Sequence, residues 1–344
     1  MKNTNTLELA NFVVTYGEKG LLENLKEYVF PAIQGQVLPG KGEIKQYIFS
    51  GVSVDLISSD NIPVLFGRLV KDMDIKAEQI FLPEEDRPIR SDEHMESSPS
   101  SFFVINLINH RMAFLHETRR CPTLKDFGSC VSRLIMKEWE TRRKKVFKEI
   151  LRGKNLESTL TKAQSISIFK EVSEKVPTPE VRITPLPAVK SVDTFLASFL
   201  KMTSITIKPL KTNNELPNEN EDFLKGFEDR RRSLGAMSGK IELTNNVDGL
   251  QLDQAKKLIR AVSDGNFFAN MKGINLEGNK LEGNLDELTV KIQEPVHEDN
   301  NQDRATRLLE KLQGLQQKDY LISNPQAGML EKARNVVKLI LGEG

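Results

Sequence analysis

Apolar and polar positions in the first third of the chain alternate between strand-like and helix-like spacing. Residues 7–14 and 45–54 are rich in β-branched and aromatic side chains, and Tyr47-Ile48-Phe49-Ser50-Gly51-Val52-Ser53-Val54 reads as a strand by residue type. Residues 20–27 read as a helix between them, and 62–73 as an amphipathic helix. Residues 84–101 are acidic, contain Ser and Pro and lack apolar periodicity, which predicts a loop. The clearest hairpin pattern comes next. Phe102-Phe103-Val104-Ile105-Asn106-Leu107 and Met112-Ala113-Phe114-Leu115 are apolar runs separated by the turn-like Ile108-Asn109-His110-Arg111. Arg119-Arg120-Cys121-Pro122-Thr123 leads to a helix start at Thr123-Leu124-Lys125-Asp126, which opens either the long helical segment 131–154 or a short helix running into it.

Residues 176–187 contain Pro177, Pro179, Pro185 and Pro187, a density that cannot continue a helix and predicts an extended linker at a domain boundary. Beyond it, 191–201 reads as a short helix with Val192, Phe195, Leu196 and Phe199 on one face. Ser204-Ile205-Thr206-Ile207-Lys208 alternates with period two, as a half-buried strand does. A polar loop is expected at 213–220, helices at 221–237 and 252–262, and a Gly/Asn-rich stretch at 266–283 around Phe267-Phe268. Leu288-Thr289-Val290-Lys291-Ile292 reads as a closing strand, and 294–303 as an acidic break. Two helices finish the chain. The last carries Met329, Leu330, Ala333, Val336, Val337, Ile340 and Leu341 at helical spacing, a stripe that fits a core contact or a contact with a second copy. The predicted class is α+β, two-lobed, with mixed sheets, helices and a C-terminal helical segment. The lobes are an N-terminal one at 1–175, a linker at 176–190, a second lobe at 191–295 and terminal helices at 296–344.

The 344 residues leave room for two ordinary domains or one large two-lobed one, and 38% hydrophobic with 28% charged residues fit a folded chain rather than a disordered one. No apolar run reaches the roughly 18 residues that a membrane span needs. The polar start Met1-Lys2-Asn3-Thr4-Asn5-Thr6 is not followed by a signal-type apolar core. Two cysteines, Cys121 and Cys130, suggest a reducing compartment, so a cytoplasmic location is expected.

Charge changes the picture. The chain is almost neutral, 49 − 48 = +1, yet 131–154 holds nine basic residues against Glu138, Glu140 and Glu149, a local +6. Such density in one element predicts a phosphate-binding face, although long helices often carry a solvated basic face as well. Lys137, Lys144, Lys145, Lys148 and Arg152 fall broadly on one side. Leu134, Ile135, Val146, Phe147, Ile150 and Leu151 supply an apolar side, and Arg142 and Arg143 add to the basic run. Arg230-Arg231-Arg232 near a helix end is a second candidate, with an equally good reading as compensation of the helix dipole. Arg119-Arg120 is a third. Nothing resembles a helix-turn-helix, zinc finger or RNA-recognition sheet, so contacts to phosphate with little sequence preference are expected.

Catalytic patterns are weaker. Of His94, His110, His116 and His297, only His110 and His116 are close in sequence, and a zinc set of His116, Cys121 and Cys130 is the nearest to a metal site. Cys130 reads better as a small buried residue beside Phe127 and Val131. There is no Gly-x-Ser-x-Gly elbow, Ser129-Cys130 lacks a cysteine-protease signature, and neither Gly40-Lys41-Gly42 nor the glycines at Gly278 and Gly283 make a phosphate-binding loop. A metal-dependent nuclease would draw on Glu43-Ile44-Lys45 or on Asp286-Glu287 with Lys291, neither with a clear partner acid. No cofactor is expected, and the reading leans away from an enzyme.

Three places carry a family resemblance. One is the hairpin running into Pro122-Thr123-Leu124-Lys125-Asp126-Phe127. Another is the helix–strand pair 195–200 and Ile205-Thr206-Ile207-Lys208-Pro209. The third is Leu216-Pro217-Asn218, followed by helices and Gly273-Ile274-Asn275-Leu276-Glu277-Gly278. In this order of elements the middle of the chain resembles the phage exclusion and antiphage defence proteins of the phage lambda RexA type. The resemblance implies a cytoplasmic, two-lobed α+β homodimer that binds double-stranded DNA with little sequence preference, as a sensor acting with a small membrane protein. It transfers no residue-level site. The alternatives are a metal-dependent nuclease of a defence system and a protein-interaction scaffold.

Overall fold

The structure is a computed structural model. It describes residues 4–76, 79–82, 87–90, 94–154, 160–210, 222–236, 238–263, 266–289, 291–317 and 328–342. The chain begins with β1 (Thr4–Tyr16), then a helical segment made of α1 (Leu21–Asn24), a π-helical turn (Leu25–Val29) and α2 (Phe30–Ile33). Strands follow: β2 (Val37–Pro39), β3 (Ile44–Ile57), β4 (Ile62–Lys76), β5 (Gln79–Leu82), β6 (Arg87–Arg90), β7 (His94–Ser97), β8 (Ser100–Asn106) and β9 (Arg111–His116). Next come α3 (Leu124–Gly153), α4 (Lys162–Lys175), β10 (Pro179–Pro185), α5 (Val189–Ala197), β11 (Phe199–Pro209), α6 (Asp222–Ser233), β12 (Ile241–Thr244) and α7 (Leu252–Ala261). The chain ends with β13 (Phe267–Asn275), β14 (Lys280–Asn284), a 3-10 turn (Leu285–Leu288), β15 (Ile292–Pro295), α8 (Asn301–Gln317) and α9 (Met329–Leu341).

The class is α+β. A nine-stranded sheet runs in the order β10-β1-β9-β8-β4-β3-β2, with β15 also beside β1 and β7 beside β4. A four-stranded sheet runs β12-β11-β13-β14. Every pairing between described strands is antiparallel rather than mixed, because neighbours such as β3–β4 and β8–β9 follow each other directly, without a crossover helix.

The large sheet is covered on both faces. In β1, Ala10, Phe12 and Val14 point to one core and Leu7 and Leu9 to the other, as the two-residue period requires. The first core adds Phe49, Phe103 and Phe114 to Phe127 and Val131 of α3 and to Ala333 and Val337 of α9. The second packs Val64, Phe66, Phe102 and Leu115 against Ala305, Leu308, Leu309 and Leu312 of α8. The α9 stripe is thus core of the chain itself. A third core, with Leu196, Met202, Ile205, Ile259 and Met271, sits on the small sheet.

Four expectations are corrected. Residues 62–73 form β4, not a helix. Leu65, Leu69 and Met73 recur every four residues, a spacing that both a helix face and a strand face satisfy. Ile62, Val64 and Phe66 fill the alternate positions and bury in the second core, so the stretch is a strand apolar on both sides. Residues 84–101, expected as a loop, include β6, β7 and the start of β8. The proline-containing 176–190, expected as a linker, supplies β10, which pairs Ala10 with Pro185 through Tyr16 with Pro179. It lies on the outer side of β1, where a missing N–H costs no ladder bond. Residues 288–292 do not close the small sheet. The 3-10 turn comes first, and β15 returns to the large sheet beside Thr4–Leu7 of β1. The polar loop at 213–220 lies outside the described residues.

Candidate nucleic-acid interface

The basic segment makes up about the last three-quarters of one 30-residue helix, α3. Its start is a capping box: the Thr123 hydroxyl accepts from the Asp126 N–H at 3.1 Å, and the Asp126 carboxylate accepts from the Thr123 N–H at 2.9 Å. Tyr47 donates to the same carboxylate at 3.2 Å. The first half is held on the sheet by Phe127, whose ring lies 4.8 Å from Phe103, 5.7 Å from Phe114, 5.9 Å from Phe49 and 6.2 Å from Phe12. At Trp139 the support changes. Its indole N–H donates to the Val176 carbonyl at 3.2 Å, and beyond it Ile150 packs on Ile168 and Val172 of α4, with Phe147 stacked on Phe169 at 5.6 Å.

That packing decides which cations face outward. Lys137, Lys144, Lys145, Lys148 and Arg152 are exposed. At 3.6 residues per turn they occupy an arc of about 100°, and Glu138, Glu140 and Glu149 fall outside it. None of the five has an ion pair among the described residues. From Lys137 to Arg152 the stripe is about 22 Å long, and α3 supplies it without a break.

The other predicted cations are employed differently. Arg142 lies over the Tyr28 ring at 4.3 Å and 3.8 Å from Glu27. Arg143 lies over Trp139 at 5.1 Å and over Phe169 at 5.8 Å. Arg119 and Arg120 are exposed in the turn after β9, before the helix starts, so about 20 Å of axis separates that turn from Lys137. Arg230 is exposed on α6, in the other lobe. Arg231 donates to the Ala236 carbonyl at 2.8 Å, just past the helix end, and the Arg232 side chain lies outside the described set. The structure therefore brings together five of the twelve predicted residues as one exposed stripe.

Sequence reasoning missed the aromatic groove beside that stripe. Trp139, Phe147, Leu151, Phe169 and Val172 line a cleft of about 580 Å³, edged by Arg143, Lys144, Lys148 and Glu140. Its most exposed ring, Phe169 at 49%, comes from α4, 30 residues after Trp139, a separation that no local pattern announces.

The catalytic candidates do not assemble. His116 and Cys121 meet, but Cys130 sits in the first core, and no three ligand-type side chains among the described residues converge for a metal ion. Lys45 pairs with Glu96, Lys291 with Glu8, and Glu287 caps the 3-10 turn through Asn284, so neither nuclease set comes together. Among the described residues no helix is long and apolar enough to cross a membrane. No protein-family model matches the chain, and no curated protein compared with it matches either.

Proposed function

We propose that this protein binds double-stranded DNA through its phosphates, with little sequence preference, using the stripe Lys137, Lys144, Lys145, Lys148 and Arg152. The observation that carries the reading is the stripe itself: five exposed cations on one helix, without an ion pair among the described residues and with no acid of α3 in their arc. A helix held by a sheet along its first half and by α4 along its second presents its charges without a large ordering cost. In this reading Arg142 and Arg143 hold the helix in place, and Arg119, Arg120 and Arg230 are outlying contacts at most. The resemblance to phage exclusion proteins supplies the setting: a cytoplasmic homodimer in antiphage defence, its stripes doubled by two-fold symmetry, signalling through a small membrane protein.

A gel-shift titration on two unrelated labelled duplexes, with and without Mg²⁺, tests the reading. Both should shift equally and remain intact. If all five cations engage phosphates, the logarithm of affinity falls against the logarithm of salt with a slope of about −4 to −5. No shift at low salt overturns the proposal. Cleavage appearing only with Mg²⁺ replaces it with the nuclease alternative.

A further inference from the structure

At the far end of the hairpin, two strands, a loop and the residue before β15 bring four ionisable groups into a chain. Cys121 Sγ lies 2.9 Å from Nδ1 of His116 at the end of β9. Nε2 of the same ring lies 3.5 Å from the Glu8 carboxylate on β1, and Lys291 Nζ, just before β15, lies 3.2 Å from that carboxylate. Read as thiolate, imidazolium, carboxylate and ammonium, the row alternates in sign and sums to zero, which makes the fully charged form inexpensive. A doubly protonated imidazole suits both neighbours: Nδ1–H donates toward the sulfur, and the positive ring faces the carboxylate as an ion pair without a hydrogen bond at Nε2.

Titration directions agree with that arrangement. Burial works against the imidazolium, but the contacts with Cys121 and Glu8 outweigh it and hold His116 up at about 9. Burial also works against the Cys121 thiolate, yet the contact with His116 does most to outweigh it, and the thiol lies below its ordinary value. The other cysteine is the internal contrast. Cys130 lies among Phe127, Val131 and Leu134, and burial pushes its thiol up to about 12. A cysteine kept only for packing sits as Cys130 does; Cys121 sits as an activated nucleophile does.

We propose that Cys121 is a peroxide-reactive thiolate, activated by His116 and positioned through Glu8. Burial limits the electrophile. Cys121 is only 9% exposed, which excludes a polypeptide carbonyl and leaves a reagent as small as a hydroperoxide as the class to test. The thiolate attacks one peroxide oxygen and the O–O bond breaks. The leaving hydroxide takes the His116 proton and departs as water, and the sulfur is left as a sulfenic acid; the thiol is oxidised and the peroxide reduced. Both cysteines are free, and Cys130 is held in the core, so the sulfenic acid has no resolving thiol in the described structure.

The test treats the folded protein with a small excess of hydrogen peroxide in the presence of dimedone and quantifies adducts on the Cys121 and Cys130 peptides by mass spectrometry. An ordinary thiol slows roughly 75-fold between pH 8 and pH 6 as its thiolate fraction falls. Cys121 should slow clearly less than that, with Cys130 unlabelled. H116Q should restore the steep pH dependence, and E8Q should do so partly if H116Q fails to fold. Absence of a Cys121 adduct, a wild-type rate as steep as that of a free thiol, or equal labelling of the two cysteines overturns the proposal.

Discussion

The guanidinium of Arg142 lies over the ring of Tyr28, 4.3 Å from its centroid, and this contact ties the middle of α3 to the helical segment after β1. Arg142 belongs to the densest basic run of the chain, but its charge is spent inside the fold. Arg142→Ala should destabilise the protein by about 1 kcal/mol, because it removes a cation–π contact and the covering of an aromatic face. Its half-exposed pairing with Glu27 adds little. Urea unfolding measures the loss, and DNA affinity should change less than threefold. A large affinity loss with normal stability would move Arg142 into the interface.

Lys144→Glu with Lys148→Glu is the complementary change. Both side chains are exposed and unpaired among the described residues, so the melting temperature should stay within about 2 °C of wild type. DNA affinity at moderate salt should fall at least tenfold, and the salt slope should become shallower by about 2. Fluorescence anisotropy at several salt concentrations reads both effects.

The single tryptophan is a built-in reporter. Trp139 lines the groove beside Lys144 and Lys148. Duplex DNA bound along the stripe should change its emission with the same midpoint as the gel shift. Full binding with unchanged emission would place the DNA elsewhere, with the turn holding Arg119 and Arg120 the next region to examine.

Glu117 gives a pH prediction. Its carboxylate accepts from Arg68 at 2.7 and 2.9 Å and from Arg304 of α8, and it is 11% exposed. Burial raises its pKa, but the two arginines and Ser100 outweigh burial and lower it below the ordinary carboxylate value. A folded-state pKa below the unfolded one means that this stabilisation is complete above the unfolded value, near pH 4.5, and is lost as pH falls from there through the folded value. Thermal melts from pH 7 to pH 3 should therefore show wild type losing stability over that acid range more than Glu117→Gln. At pH 7 the variant should be less stable by about 3 kcal/mol, since two arginines lose their shared carboxylate.

Leu308 tests the layer formed by α8. It is fully buried against the strands of the second core. Leu308→Ala should cost about 3 kcal/mol in chemical denaturation, the usual loss for a leucine cavity. A cost below about 1 kcal/mol would mean that α8 does not pack on the sheet.

Local patterns were sufficient wherever one residue period had one solution. The Phe102–Leu115 hairpin, the strand at Tyr47–Val54, the capping box at Thr123 and the apolar stripe of α9 are all legible in the chain, because turn chemistry, caps and spacing act over a few residues. The stripe from Lys137 to Arg152 was legible too, for the same reason. The pattern failed at 62–73, where a four-residue repeat satisfies helix and strand alike, and only the second core behind Val64 and Phe66 separates them.

The remainder was decided at long range. That Pro179–Pro185 is a strand depends on the open side of β1, nearly 170 residues earlier. That Ile292–Pro295 joins the first sheet depends on the same edge. The groove beside Trp139 needs Phe169, and the row behind the Cys121–His116 contact forms only because β1 brings Glu8 to His116 and the residue before β15 brings Lys291 to Glu8. By itself the sequence determined helices, turns and the sign of a surface, which arise from neighbours along the chain. Which strands share an edge, which arginines are consumed by aromatic rings and which side chains form a reactive row were decided by tertiary structure alone, because those energies exist only once distant segments have packed together.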